Sequence, residues 1–133
     1  MLQEKHVVTC FLESNNEILI LRRSNKVGSY QGKWAGVSGY IDNTADEQSL
    51  TEIREETNLY GEDIELITRG EALKVKDDRL DVIWTIHPFL FHITDRSKIK
   101  LDWEHIDARW IKPHELDNYN TVPKLKETLA QVI

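Results

Sequence analysis

Three carboxylates, Glu52, Glu55 and Glu56, stand at positions i, i+3 and i+4 of one segment of the chain. If that segment is helical, at ~100° per residue all three fall within about a third of the helix circumference. Like charges so placed cost an isolated helix about 0.2–0.5 kcal/mol per pair, a cost that a divalent cation between them removes. Carboxylate oxygens are the hard ligands that Mg2+ and Mn2+ prefer, and Mg2+ is commonly held by few carboxylates together with water and substrate phosphates. A cation held in this way would bridge two anions, the carboxylates and a phosphate. Spacing alone favours a plainer arrangement, in which Glu55 and Glu56 solvate a helix face and pair with Arg54 or surface lysines.

Few other chemistries are open. Cys10 is the only cysteine, so neither an internal disulfide framework nor a thiolate metal cluster can form. It lies in the apolar run His6-Val7-Val8-Thr9-Cys10-Phe11-Leu12, where a buried, inert thiol is expected. The histidines His6, His87, His92, His105 and His114 are scattered without the i,i+4 pairing of a histidine metal motif; structural or exposed roles are expected for them. No Gly-x-Ser-x-Gly elbow, Walker loop or Rossmann glycine fingerprint occurs, which removes the common serine-hydrolase, P-loop and dinucleotide-fold options.

The elements that must position the glutamates alternate in type. Lys5 to Leu12 and Glu17 to Arg23 read as two strands closed by the polar turn Glu13-Ser14-Asn15-Asn16. A Gly-rich loop follows from Ser24 to Gly36, with a short strand near Val37. Thr44-Ala45-Asp46-Glu47 has the pattern of a capping box, so a helix should start there and run to about Thr57, stopped by Asn58, a residue that tolerates the left-handed conformation. Leu50, Ile53 and Thr57 are expected to form the stripe that packs on the sheet. Ile64 to Val75 and Leu80 to Ile93 read as long strands, with Pro88 marking an edge, bulge or bend in the second, and Ala108-Arg109-Trp110-Ile111 as a short one. Thr121 caps an amphipathic closing helix with Pro123 in its first turn and Leu125, Leu129, Val132 and Ile133 at helical spacing. A mixed sheet covered by helices, an α/β (α+β) fold, is the architecture this order predicts.

Two pairs of side chains are candidates for contacting a substrate. Arg22 or Arg23 can lay a planar fork on phosphates, and only one of them can reach a given site because adjacent strand residues point to opposite faces. Surface pairing is an equal alternative for either. Trp34 and Trp84 can stack on a base, although large aromatics in sheet proteins more often fill the core.

With 133 residues the chain has the length of one domain, 1–133, and 40% hydrophobic against 30% charged residues is the balance of a folded rather than a disordered protein. Its formal charge of −6 gives a field that repels polyanions, which disfavours nucleic acid and anionic membrane as partners. Phosphates remain accessible where a bound cation inverts the local sign. Met1 to Lys5 lacks the basic region and apolar stretch of a signal peptide, and no run reaches the ~20 apolar residues of a membrane span. A cytoplasmic protein is expected.

The run Thr51-Glu52-Ile53-Arg54-Glu55-Glu56-Thr57-Asn58-Leu59 resembles the second half of the Nudix box, Arg-Glu-apolar-any-Glu-Glu-any-Gly-apolar, with Gly39 in Val37-Ser38-Gly39-Tyr40-Ile41 at the loop glycine. Leu21-Arg22-Arg23, Gly32-Lys33-Trp34, Ala108-Arg109-Trp110-Ile111 and Pro113-His114-Glu115-Leu116 are similar to further family segments, so the resemblance spans about the whole chain. Thr51 stands where the family has arginine, Asn58 where it has glycine, and the loop from Gly39 to Thr51 is two residues shorter than the usual spacing. Asn43 or Asp46 falls where a loop glutamate is usual.

That resemblance implies a Nudix-like α/β/α sandwich and a hydrolase that cleaves the diphosphate linkage of a nucleotide-like small molecule with Mg2+ or Mn2+. By the same resemblance Glu56 and Glu55 match the main metal-ligand positions, Glu52 the position that binds metal or accepts the water proton, and the Gly39 carbonyl a backbone ligand; Glu52 and Glu55 are also the helix candidates for a catalytic role. A base from a more distant element is common in the family; Glu104 is the first candidate and Glu71 the second, and either also fits a surface carboxylate. A Nudix-fold module that binds a nucleotide or nucleotide sugar without turnover is the alternative, motivated by Thr51. Isoprenoid diphosphate isomerisation, a related branch that needs a reactive cysteine, is disfavoured by the position of Cys10. A homodimer is compatible with the sequence.

Overall fold

In the computed structural model, which describes residues 2–133, the opening hairpin sets the frame. β1 (Gln3–Ser14) and β2 (Glu17–Arg23) are joined through Asn15 and Asn16, both at positive φ (53° and 64°), the combination a tight primed turn requires and asparagine tolerates. β3 (Trp34–Ala35) pairs with β2, and β4 (Val37–Tyr40) pairs with β1 antiparallel from Val7↔Tyr40 to Cys10↔Val37. β5 (Ile64–Arg69) and β6 (Leu73–Asp77) both pair with β7 (Val82–Ile93), which lies parallel to β1 along its length. β8 (His105–Ile111) pairs with β2. Among the described residues these eight strands form one mixed sheet.

The central strands read as continuous apolar runs because both of their faces are covered. Side chains alternate, so Val8, Cys10 and Leu12 of β1 join Leu19 and Leu21 of β2 and Phe89 and Phe91 of β7 in one cluster, closed by Ile53 of α1 (Ala45–Thr57). Phe11, Ile18, Ile20 and Leu90 point the other way and meet Leu125 and Leu129 of α2 (Leu125–Ala130). One helix on each face of a mixed sheet is the expected α/β/α arrangement. No helix among the described residues is long and apolar enough to cross a membrane.

Four local expectations need correction. Ile64–Val75 is two strands, not one: the break at Gly70 falls opposite Pro88, where Gly70 N–H donates to the Pro88 carbonyl at 3.0 Å. A Cβ on Gly70 would sit 2.7 Å from the Gln131 carbonyl oxygen, so the chain turns there only because no side chain intervenes. Thr121 does not cap α2; residues 120–122 are spent on the edge of β3, with Trp34 N–H bonded to the Asn120 carbonyl and Val122 N–H to the Trp34 carbonyl, and the helix starts after Lys124. Ile133 accordingly lies outside α2 and is exposed. β8 begins three residues earlier than the apolar run suggested, since His105 pairs with Arg23 across a bulge.

Candidate active site

α1 is stopped and started by the residues its sequence provides. Thr44, extended at φ −119°, accepts from Glu47 N–H at 3.1 Å, and Asn58 at φ 66° closes the last turn through its N–H to the Arg54 carbonyl. The face turned to the sheet differs from the expected one. Leu50 is half exposed, whereas Ser49, Glu52, Ile53, Glu56 and Thr57 are buried. Two carboxylates therefore share the inward face with Ile53, and the helix is held down around them.

Glu52 lies directly on the backbone of β4. A Cβ on Gly39 would sit 2.2 Å from Glu52 Oε1, so only glycine lets the carboxylate reach this place. Its other oxygen accepts from Gln48 Nε2 at 2.9 Å, and Gln48 Oε1 in turn accepts from the Asp42 N–H at 3.1 Å, which fixes the amide. Glu55, one turn further along the rim, is exposed and lines the same cleft.

Glu56 is 1% exposed, and its Oε2 has no hydrogen-bond partner. Leaving a buried carboxylate oxygen unpaired is costly, and it is rare in folded proteins. Its Oε1 is 3.5 Å from His105 Nε2, and the His105 Nδ1 is 3.3 Å from Asp102. Ligand atoms of Glu56, Glu104 and His105 all lie within 4.8 Å of one another, a space that takes one ion or one water. Burial pushes the Glu56 carboxyl well above the usual range, with the charges of Glu104 and Glu52 adding to it. Burial likewise raises Glu52 and Glu104, the latter aided by Asp102 and Glu52 and opposed by Arg23. The pKa of His105 is lowered by burial, against the pull of Asp102.

Glu52, Glu55 and Glu104 line a cleft of about 700 Å3, with Glu56 and His105 buried behind them. Arg23 lines it with its Nε–H on the Ser29 carbonyl, while Arg22 is exposed outside it and donates to the Gly32 carbonyl, as strand alternation requires. At the other end Trp84 stands between Tyr30 and Tyr40, with ring centroids 6.4 and 6.0 Å away. Trp84 Nε1 donates to the Tyr30 hydroxyl at 3.0 Å, and that hydroxyl donates to Asp77. Burial and the Asp77 bond push the Tyr30 phenol up to about 12. Lys5 Nζ lies 5.4 Å from the Tyr40 ring centroid.

Trp34 is not at the cleft. It is 9% exposed in the second core cluster, edge-on to Tyr119 at 5.3 Å, so the core alternative holds. Glu71 is exposed beside the β5–β6 break and is not brought to the glutamates.

A model of the NUDIX domain matches residues 3–132. The chain belongs to the Nudix family. It is 23% identical to the nucleoside triphosphatase NudI of Escherichia coli O139:H28 over 135 residues, covering 96% of each chain. Its fold is similar to the MutT protein of Methanosarcina mazei Go1 (TM-score 0.81, 19% identity, 97% of this chain and 92% of that one). It is similar also to the C. elegans Ap4A hydrolase (TM-score 0.76, 15% identity, 98% and 94%). Nudix hydrolases act on nucleoside diphosphates linked to another moiety and generally need a divalent cation.

Where this chain departs from the Nudix box, the structure supplies substitutes. Asn58 adopts the left-handed conformation that glycine would. Thr51 cannot orient a glutamate by ion pairing, but Gln48 does so for Glu52 with a neutral hydrogen bond. Asp46 is turned away and paired with Arg69 at 2.7 Å. The residues also fit a divalent cation: an orphaned buried oxygen on Glu56, and three carboxyls all pushed toward protonation by burial, are what a positive charge would relieve. Sequence spacing missed His105, Asp102, Tyr30, Tyr40 and Lys5, because strand pairing and loop placement, not local periodicity, bring them in. His105, expected to be structural or exposed, is buried inside the acidic cluster.

Proposed function

We propose that this chain is a divalent-cation-dependent pyrophosphohydrolase cleaving the diphosphate of a nucleotide-like substrate. The observation that carries this is the buried Glu56 carboxyl, which has one oxygen without a partner and a ligand atom within 4.8 Å of those of Glu104 and His105. Glu56, with Glu52, Glu55 and the Gly39 carbonyl, would hold Mg2+ or Mn2+, which supplies charge stabilisation for the phosphoryl oxygens and acidifies water. Glu104 is the group we assign to receive the proton of the attacking water: it is close enough to Glu56 for a water between them, and burial makes it more basic than an ordinary carboxylate. His105 stands between the two carboxyls, with Nδ1 at Asp102 and Nε2 at Glu56, and would position Glu56 by packing against it.

Arg23 reaches the cleft with a guanidinium able to meet a non-bridging phosphate oxygen, and its burial leaves it weakly hydrated. Tyr40 and Trp84 provide planar surface for a base at the far end. A phosphate-release assay with Mg2+ over a panel of nucleoside triphosphates, nucleotide sugars and dinucleoside polyphosphates tests the reading. Hydrolysis is expected for wild type, and Glu56→Gln should lose about 10²-fold or more. Binding without turnover by the wild type would favour the non-catalytic nucleotide-binding alternative instead.

A further inference from the structure

On the sheet face opposite the cleft, β1 and β7 bring two imidazoles together. Lys5, Val7 and Trp84 line the cleft, and side chains alternate along a strand, so His6 and His87 project to the other side. His6 Nδ1 lies 3.2 Å from His87 Nε2, with ring centroids 5.5 Å apart and planes inclined at 34°. Behind His6, its Nε2 faces Glu4 Oε1 at 3.6 Å. That oxygen accepts from Thr85 Oγ1 at 2.9 Å and Lys74 Nζ at 3.1 Å, which hold the carboxylate in place.

We propose that His6 Nδ1 and His87 Nε2 form a second cation site, separate from the glutamate cleft, for a late first-row divalent ion of the Zn2+ class. Two nitrogens bound to one tetrahedral zinc at ~2.0–2.1 Å stand ~3.3 Å apart, close to the separation already present. Glu4 faces His6 Nε2, the relation that orients metal-ligating histidines, and cation binding would replace the hydrogen bond now shared by His6 Nδ1 and His87 Nε2. Selectivity follows from which donors remain. Glu4 is already engaged by Thr85 and Lys74, and Lys74 offsets its charge, so the available ligands are imidazole nitrogens. Mg2+ and Ca2+, which want oxygen, gain little there. Both rings are partly exposed, so water can complete the coordination.

The ion would tie β1 to β7 where Lys5 and Trp84, paired across the same two strands, line the cleft on the other face. The inference stands independently of the proposed hydrolase activity. Calorimetric titration of the metal-stripped full chain with Zn2+ in excess Mg2+ tests it, with melting temperature as the second reading. Wild type should take up Zn2+ that Mg2+ does not displace, and its melting temperature should rise. His6→Ala and His87→Ala should lose both effects, Glu4→Gln should bind about tenfold more weakly, and Glu56→Gln should keep both. The proposal is overturned if wild type shows no Mg2+-resistant uptake, if the histidine variants retain it, or if Glu56→Gln loses it.

Discussion

The two ends of the cleft solve opposite problems. At the α1 end, Glu52, Glu56 and Glu104 are raised by their own burial, and Glu56 Oε2 has no partner. At the far end the Trp84 N–H is taken by Tyr30, and the Tyr30 hydroxyl by Asp77. One end is unsatisfied without a positive charge. The other is complete as it stands and offers shape, with Tyr40 54% exposed as its open surface. Under the proposed function, cation and phosphate chemistry would fall to the strained end, and selection among planar groups to the relaxed one.

The sharpest way to break this contrast is Glu56→Gln. Activity should fall about 10²-fold or more, while the melting temperature in chelator should be no lower than wild type, because a poorly solvated carboxyl has been removed. A variant that loses stability without cation would mean Glu56 is a satisfied structural group. Gly39→Ala should come next. Its Cβ collides with Glu52, so displacement of that carboxylate and a cost of about 1–3 kcal/mol should appear in turnover and in chemical denaturation.

The pH dependence of stability separates the ends again. A carboxyl whose folded pKa is raised binds more protons folded than unfolded, so its contribution is greatest below the unfolded value, 4.5 for Glu56. It declines as pH rises through the folded value. In chelator, melting temperature should therefore fall as pH rises from about 4.5 through the raised folded values, and added Mg2+ should flatten that fall. Identical profiles with and without Mg2+ would remove the link. At the relaxed end, Tyr40→Ala should raise KM about tenfold with kcat little changed, since stacking on an exposed ring contributes ~1–3 kcal/mol per base. Arg22→Ala should do least, within about 0.5 kcal/mol in stability and without effect on turnover, because Arg22 lies outside the cleft.

The strained end was the more legible in sequence. Helix periodicity groups Glu52, Glu55 and Glu56 without any tertiary knowledge, and Thr44 and Asn58 mark the ends of α1 by local chemistry. What periodicity could not give was the direction of that helix. Leu50 looked like the packing residue, but the sheet takes Glu52 and Glu56 instead, since Gly39 leaves room for a carboxylate where any side chain would exclude it. Glu104 was readable only as a candidate, and His105 not at all, because both arrive through pairing of β8 with β2. Tyr30, Tyr40 and Lys5 meet Trp84 from a loop and two other strands, contacts with no signature in spacing. The split of Ile64–Val75 was hidden for a similar reason: its cause, Pro88, is on the partner strand.

Anomalous diffraction from a crystal soaked in Mn2+ with a non-hydrolysable nucleotide tests the central claim most directly. Manganese should appear ~2 Å from a Glu56 carboxylate oxygen, between protein and phosphates. Manganese bound elsewhere, with Glu56 Oε2 still unpaired beside an ordered nucleotide, would contradict it.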